Sequence, residues 1–354
     1  MKFFKKYSNA GWRAKDRIFS VCYLAPFLIL FFVFTILPVL ISIILSFTDY
    51  NVFQMPKVVF FQNYLELLFG DDEFLMAVKN TFIIAVITGP VGYFASLFIA
   101  WFINDLNPKI RPIMVLFFYA PSISGGVYMI WQIMFSGDAH GYANSLLMYL
   151  NIIDQPIQWF TDPKYMLPLV IAVVIWMSLG AGFLSFVAGL RNIDRTYYEV
   201  GYIEGIRNRW QELWYVTLPS MKPQLMFGAV MSITASFGVG DVTAALCGFP
   251  STDYAAHTII NHLNDYGSTK FEMGYASAIA TILFIVMVGT NKLVQSVISG
   301  VALIIAKIPF IIKVYSAESE TADCHGIADE TEDFRRYQLR IREIADRHML
   351  CAEI

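Results

Sequence analysis

A chain of 354 residues that is 57% hydrophobic and only 15% charged, with a mean hydropathy of +0.55, carries more apolar surface than a water-soluble domain can bury. Its net charge of −3 comes without a basic patch, which excludes a nucleic-acid partner. Cys22, Cys247, Cys324 and Cys351 lie far apart without metal-ligand spacing, so they read as free thiols, not a disulfide framework or a zinc site.

Lipid is therefore the expected solvent. A hydrocarbon core about 30 Å thick takes roughly 20 apolar residues of helix, because every backbone polar group inside it needs an internal partner. The fold class that follows is an all-α integral membrane protein with about six transmembrane helices. Residues 1–20 hold Lys2, Lys5, Lys6, Arg13, Lys15 and Arg17 and precede an apolar stretch at 23–47. That stretch is too long for a signal-peptide core and lacks a small-residue cleavage site, so it is kept as the first span. Further spans are expected at 80–103, 112–135, 168–190, 224–247 and 273–288, within a membrane domain at 21–298 whose core is 75–295.

The connecting loops alternate in charge. Lys109 and Arg111 follow the second span, and Arg191, Arg195, Arg207, Arg209 and Lys222 lie between the fourth and fifth. The other loops carry only Lys57, Lys164 and Lys270, with Lys79 at a span edge. Under the positive-inside rule the N-terminus and both basic loops face the cytoplasm. Trp101, Trp131 and Trp159 fall near the expected interfaces. Proline and glycine recur inside the spans, as at Gly89-Pro90, Pro121, Gly125-Gly126, Gly180 and Gly238-x-Gly240, which suits closely packed helices that rearrange. Beyond 298 the composition changes. Residues 301–315 are a short apolar run containing Lys307, Pro309 and Lys313, read as an interfacial helix, and the polar tail to 354 alternates arginine with apolar residues at 334–344, as a short surface helix would.

The loop at 191–222 is long for a cytoplasmic connection. Helix formers over 195–204, Gly205 able to take a positive φ, and a second start at Asn208 or Arg209 describe a helix, a tight turn and another helix. Leu218-Pro219 then breaks the second helix before the chain re-enters the membrane. Glu199, Glu204, Arg207 and Arg209 surround an apolar edge of Ile203, Ile206 and Trp210, an element suited to docking in a groove on a cytoplasmic partner. Glu199 is placed to accept a charge-assisted hydrogen bond from a partner arginine. No Gly-x-x-x-x-Gly-Lys-Ser/Thr phosphate loop occurs, so a partner must supply the energy.

This stretch resembles the EAA loop of binding-protein-dependent ABC permeases: Glu-Ala-Ala, three residues, Gly, nine residues, Ile, one residue, Leu-Pro. Glu199, Gly205, Leu218 and Pro219 match it, Val216 stands for the isoleucine, and Glu204 occupies a position that is usually aspartate. Val200 and Gly201 replace the alanines, and ten residues separate Gly205 from Val216. Leu24-Ala25-Pro26 through Pro38, the run Leu45 to Asn51, Asn63-Tyr64, Asn80-Thr81, Trp176, Gly180 and Ala188-Gly189-Leu190 are similar to the first permease of the family's carbohydrate branch. The resemblance covers about 17–295 and leaves 299–354 as an extension. It implies a type I importer permease in a bacterial cell membrane. Its partners would be a second permease, an ATPase dimer that uses ATP and Mg, and an extracytoplasmic sugar-binding protein. No cofactor is expected on this chain.

Sugars are held by aromatic faces and neutral hydrogen-bonding groups. Candidates for the path are Tyr119, Ser122, Ser124, Tyr128, Trp131 and Gln132 in the third span, with Ser236 and Asp241 in the fifth. Two rival classes lack their residues. Gly238-Val239-Gly240-Asp241 spells the Gly-x-Gly-Asp of intramembrane aspartyl proteases, but no span supplies the Tyr-Asp partner that would share its proton. An ion-gradient-driven carrier needs acidic or histidine groups near the midplane, and none is evident.

Overall fold

The computed structural model describes the backbone of residues 23–323 and the side chains of 23–298 and 300. The basic segment 1–20, Cys22, Cys324, Cys351 and the expected helix at 334–344 lie outside the described residues. The first helix, α1 (Tyr23–Leu45), widens into a π turn at Phe32–Ile36 ahead of Pro38, whose ring would crowd the carbonyl four residues back in a regular helix. Its most apolar stretch buries nothing inside the chain. Side chains such as Phe27 and Phe34, exposed at 65% and 74%, need lipid or another subunit around them. A small antiparallel hairpin follows, β1 (Thr48–Asp49) on β2 (Lys57–Val58), pinned by buried Asn63 of α2 (Gln62–Phe69), which donates to the carbonyls of Ser46 and Thr48.

The central element is α3 (Asp72–Asn104), whose 33 residues would span about 50 Å and so project beyond the hydrocarbon. It starts earlier than the hydrophobicity suggests because Asp71 caps it, accepting the Phe74 N–H at 2.8 Å, with Asp72 and Glu73 in the first turn beside the positive helix end. Pro90 sits inside it, and beside the proline Ser232 donates to the Gly89 carbonyl at 2.8 Å.

The third span is not one helix. It divides into α4 (Arg111–Ile123) and α5 (Met129–Met134), because Pro121 weakens the ladder and Gly126 turns the chain at φ 76°. At 13 residues α4 reaches only about 20 Å, short of the bilayer core. The pair is nevertheless tied at both ends of the molecule. The Arg111 guanidinium donates to the carbonyls of Asn104 and Leu106 at the end of α3, whereas Gln132 donates to the Ala245 carbonyl at the opposite end. Five helices, not six, are long and apolar enough to cross alone among the described residues.

After α6 (Tyr142–Tyr149) the fourth span is also broken, into α7 (Pro163–Met177) and α8 (Ala181–Asn192) around Gly180. The loop carries α9 (Arg195–Ile203) and α10 (Arg209–Glu212). The fifth span is α11 (Lys222–Phe237) and α12 (Asp241–Cys247), parted at Gly238-x-Gly240. Short α13 (Ile259–Asn264) precedes α14, which runs Met273–Asp323. Residues 301–315, expected as a separate interfacial helix, instead continue α14 without interruption, through Gly300 and Pro309.

α3, α8 and α11 pack on one another as the centre of the molecule. Around the loop end Leu97, Trp101, Phe183, Phe186, Leu213 and Met221 form one buried cluster. A second joins α3 to α14 through Phe74, Ile233 and Ile279, and a third joins α3 to α7 and α12 through Ile84, Val170 and Leu246. Gly182 and Gly228 let α8 and α11 meet backbone to backbone: a Cβ on Gly182 would lie 3.4 Å from the Gly228 Cα.

Candidate functional site

The loop at 191–222 folds as a rigid mount for one short helix. Asp194 caps α9 by accepting from the Thr196 N–H at 3.0 Å and the Thr196 hydroxyl at 2.9 Å, and these bonds hold its carboxyl below the usual range. At the other end Gly205 takes φ 96°. Its N–H donates to the Tyr202 carbonyl at 3.2 Å and the Ile206 N–H to the Gly201 carbonyl at 3.0 Å, the paired bonds of a Schellman turn. Asn208 and Gln211 close a capping box on α10.

Both departures from the family pattern have a structural reason. A Cβ on residue 201 would stand 3.1 Å from Ile206 Cδ1 and 3.2 Å from Val216 Cγ2, so glycine lets α9 settle closely on its bed. The additional residue before Val216 falls where α10 opens into a π turn at Leu213–Thr217, closed by the Leu218 N–H on the Leu213 carbonyl. A π turn holds one more residue than an α turn, so Leu218 and Pro219 keep their place ahead of α11.

The inner side of the mount grips the end of α3. Arg209 pairs with Asp105 and, at 3.0 Å, with Glu212. The hydrogen bond that it donates to Asp105 is the main reason the guanidinium is held above its ordinary pKa. Trp210 packs on Trp101 with centroids 5.2 Å apart, Tyr198 meets Thr217, and burial raises the Tyr198 phenol. The expected apolar edge of Ile203, Ile206 and Trp210 is therefore divided. Ile203 is 86% exposed, Ile206 lies half-buried under Gly201, and Trp210, though 56% exposed, lays its ring against Trp101 of α3. Tyr197, Val200 and Ile203, spaced three apart, make the outward apolar stripe, with Glu199, Glu204 and Arg207 also exposed around it. An Asp105→Ala/Arg209→Ala cycle is expected to give a coupling of about 0.5–1 kcal/mol in thermal unfolding, since the pair is half-exposed; strict additivity would deny the anchor.

The second feature is a cavity of about 280 Å³ where the two broken spans meet α3. Ser178, Gly180, Gly238 and Gly240 come from the breaks, and Thr88, Tyr93, Ser96 and Ser232 add hydroxyls to a mainly apolar wall that includes Val174, Met177 and Phe186. The buried Thr88 hydroxyl has no hydrogen-bond partner among the described residues. Of the path candidates, Ser236 and Asp241 line this cavity. The third-span residues do not. Tyr119 faces a slot between α4 and α8, Ser122 bonds the Tyr119 carbonyl beside Gly180, and Ser124 is exposed at the end of α4. Tyr128 and Trp131 pack on the third core cluster, and Gln132 tethers α5 to α12. The break in the third span leaves these side chains outside this cavity. Thr88, Tyr93, Ser96, Ser178 and Ser232 were missed, although the glycines flanking both breaks marked where to look.

The end opposite the loop is held by a buried polar network. Asp71 accepts from Tyr275 at 2.8 Å and bonds His262 at 3.0 Å, and Asn80 donates to the carbonyls of Tyr254 and His257 at 3.0 Å. Burial raises the Asp71 carboxyl, but its bonds with Phe74, Tyr275 and His262 outweigh this and leave it lowered. His257 is 2% exposed with neither ring nitrogen bonded among the described residues, and burial pushes its pKa down from 6.5 to about 4. The unfolded chain thus binds a proton that the folded chain refuses. Stability at this end is complete above pH 6.5 and falls as pH drops toward about 4. A melting temperature that declines through that window, with a shallower decline in His257→Gln, is the expected result; an identical slope in the variant would contradict it.

Comparison with known proteins adds to this geometry. A family profile described as "Binding-protein-dependent transport system inner membrane component" matches residues 90–295, more than half of the chain. The chain belongs to that family. Its relatives in the binding-protein-dependent family include the "Probable ABC transporter permease protein YesP" of Bacillus subtilis, 32% identical over 77% of this chain and 88% of that protein. The "Lactose transport system permease protein LacF" of Rhizobium radiobacter is 31% identical over 62% and 72%. The "Arabinooligosaccharides transport system permease protein AraP" of Bacillus subtilis is 28% identical over 79% and 89%. A solved bacterial ABC transporter involved in the import of the acidic polysaccharide alginate superposes with a TM-score of 0.66 over 81% of this chain and 98% of its own, at 22% identity, a likeness of fold. Membership makes the chain a multi-pass inner-membrane transport subunit, not an enzyme, and sets aside the ion-gradient-driven carrier.

Proposed function

We propose that this permease forms half of the translocation path of an ATP-driven importer for a carbohydrate, most suitably a neutral oligosaccharide. Its N-terminus and the loop at 191–222 lie in the cytoplasm, where α9 docks on a separate ATPase subunit that uses ATP and Mg. A second, different permease completes the path, and an extracytoplasmic sugar-binding protein delivers cargo. The observation that carries the reading is the mount of α9: a Schellman turn, a close glycine contact and the Arg209–Asp105 pair join the exposed stripe of Tyr197, Val200 and Ile203 rigidly to the end of α3. Motion of a partner against that stripe would reach the membrane helices without being absorbed by the loop.

The hydroxyls and Tyr93 around the cavity support a polyhydroxylated cargo, and the lack of an arginine cluster at the opposite end points away from a phosphorylated one. Lactose, arabinooligosaccharides and alginate are named for relatives and neighbours, which favours the carbohydrate class. Affinity purification from native membranes is expected to retain an ATPase and a second permease. Proteoliposomes holding this chain alone are expected to accumulate no sugar under a proton or sodium gradient. Gradient-driven uptake, or a stable active homodimer, would overturn the proposal.

A further inference from the structure

Two adjoining pockets at the loop end are used by none of this. The first, about 390 Å³, is polar and lies between the ends of α3 and α8 and the loop. Arg111, Arg191, Arg195 and Arg209 line it against only two carboxylates, Asp105 and Glu212. Both carboxylates are already engaged by Arg209, and neither Arg191 nor Arg195 pairs with an acid among the described residues. Arg111 spends its terminal nitrogen on the α3 carbonyls, and its buried Nε has no partner among the described residues. The second pocket, about 280 Å³, is a slot between α4 and α8 walled by Pro112, Val115, Leu116, Tyr119 and Val187. Arg111 and Arg191 line both pockets, so the unpaired positive charge opens directly onto an apolar channel.

A ligand that fills both must carry an anionic head and a hydrocarbon tail, and the two pockets meet at the loop end of the apolar helices α4 and α8, where the apolar slot gives way to the arginine-lined pocket. A free anion would use the polar pocket and leave the slot empty. We infer that the two pockets form one site for an anionic phospholipid, with its phosphate among Arg111, Arg191 and Arg195 and an acyl chain along Val115, Leu116 and Val187. The head would join the last turn of α8 to the start of α9 and the α3–α4 junction, bracing the docking loop from the membrane side. Assigning the lipid to the inner leaflet rests on the cytoplasmic placement of the loop proposed above; the binding itself does not.

The test titrates the purified full chain in detergent with phosphatidylglycerol, with phosphatidylcholine of the same acyl chains, and with inorganic phosphate as competitor, reading occupancy by native mass spectrometry. The expected result is one tightly held phosphatidylglycerol, preferred about 30-fold, the attraction of two free arginines for an anionic headgroup. Arg191→Ala/Arg195→Ala is expected to bind both lipids alike, Arg191→Lys/Arg195→Lys to keep most of the preference, and Lys164→Ala at the opposite end to keep all of it. Equal affinity in the wild type, or preference surviving in the alanine variant, would overturn the inference. Complete displacement by millimolar phosphate would also overturn it, by reducing the site to an anion pocket. Because occupancy is read without transport, a negative result alongside a cytoplasmic loop would remove the lipid site alone.

Discussion

Replacing Gly205 with aspartate is expected to leave the permease inserted and assembled while abolishing ATP-driven uptake. Residue 205 holds φ 96°, and a Cβ there would meet nothing within 4 Å. The cost of a side chain is thus confined to the backbone, on the order of 1–2 kcal/mol for a left-handed residue other than glycine. That is too little to unfold a membrane domain, yet it acts on a turn closed by two hydrogen bonds, at 3.2 Å and 3.0 Å. Relaxing φ breaks them and tilts α9 away from Ile206 and Val216, so the stripe of Tyr197, Val200 and Ile203 no longer presents to a partner. Gly205→Ala should uncouple nearly as well. Gly205→Asn shares aspartate's tolerance of the left-handed region but adds no second negative charge beside Glu204, so it should keep partial uptake. ATP hydrolysis and uptake measured together on the assembled complex decide the matter: hydrolysis without uptake is expected, and wild-type uptake in Gly205→Asp would refute the role of the turn.

Gly228→Val should have the largest effect on the membrane domain itself. A Cβ at 228 would lie 2.3 Å from Phe186 Cζ, and Phe186, 1% exposed, is held against Tyr93 with ring centroids 5.4 Å apart. The ring cannot swing aside, so α8 and α11 must separate where they now touch backbone to backbone. Overpacking of this kind typically costs about 1–3 kcal/mol, and here it also opens the wall of the central cavity, which Phe186 and Gly228 both line. The melting temperature in detergent should fall by several degrees with little protein recovered. Phe186→Ala in the same chain should recover part of the loss by giving the new methyls room. Wild-type stability in the single variant would mean the two helices do not pack this closely.

The membrane class was legible because it depends on composition and on long apolar runs, and those survive any detail of packing. The loop was legible because its turn rests on Gly205 and its exit on Leu218-Pro219, residues whose backbone preferences are local. What escaped was set by tertiary contact. Hydropathy drew 112–135 as one span, although Pro121 and Gly126 allow the chain to turn once α12 offers Ala245 as a partner for Gln132. Ile206 looks like an exposed apolar residue in the sequence, and only the nearness of Gly201 draws it half under, while Trp210 stays 56% exposed with its ring against Trp101. The tolerance of a tenth residue before Val216 likewise depends on a π turn that no propensity announces. His257 and His262 drew no notice, because isolated histidines in an apolar chain reveal nothing until Asp71 and Asn80, far away in sequence, are found beside them.

Docking on an ATPase depends on which side of the membrane the exposed stripe faces. The direct measurement is labelling of Ile203→Cys, a side chain 86% exposed, with a membrane-impermeant maleimide in right-side-out and inside-out vesicles. Labelling only in inside-out vesicles, blocked when the ATPase partner is bound, is the predicted result. Labelling in right-side-out vesicles would contradict the docking role of the loop and the transport assignment built on it.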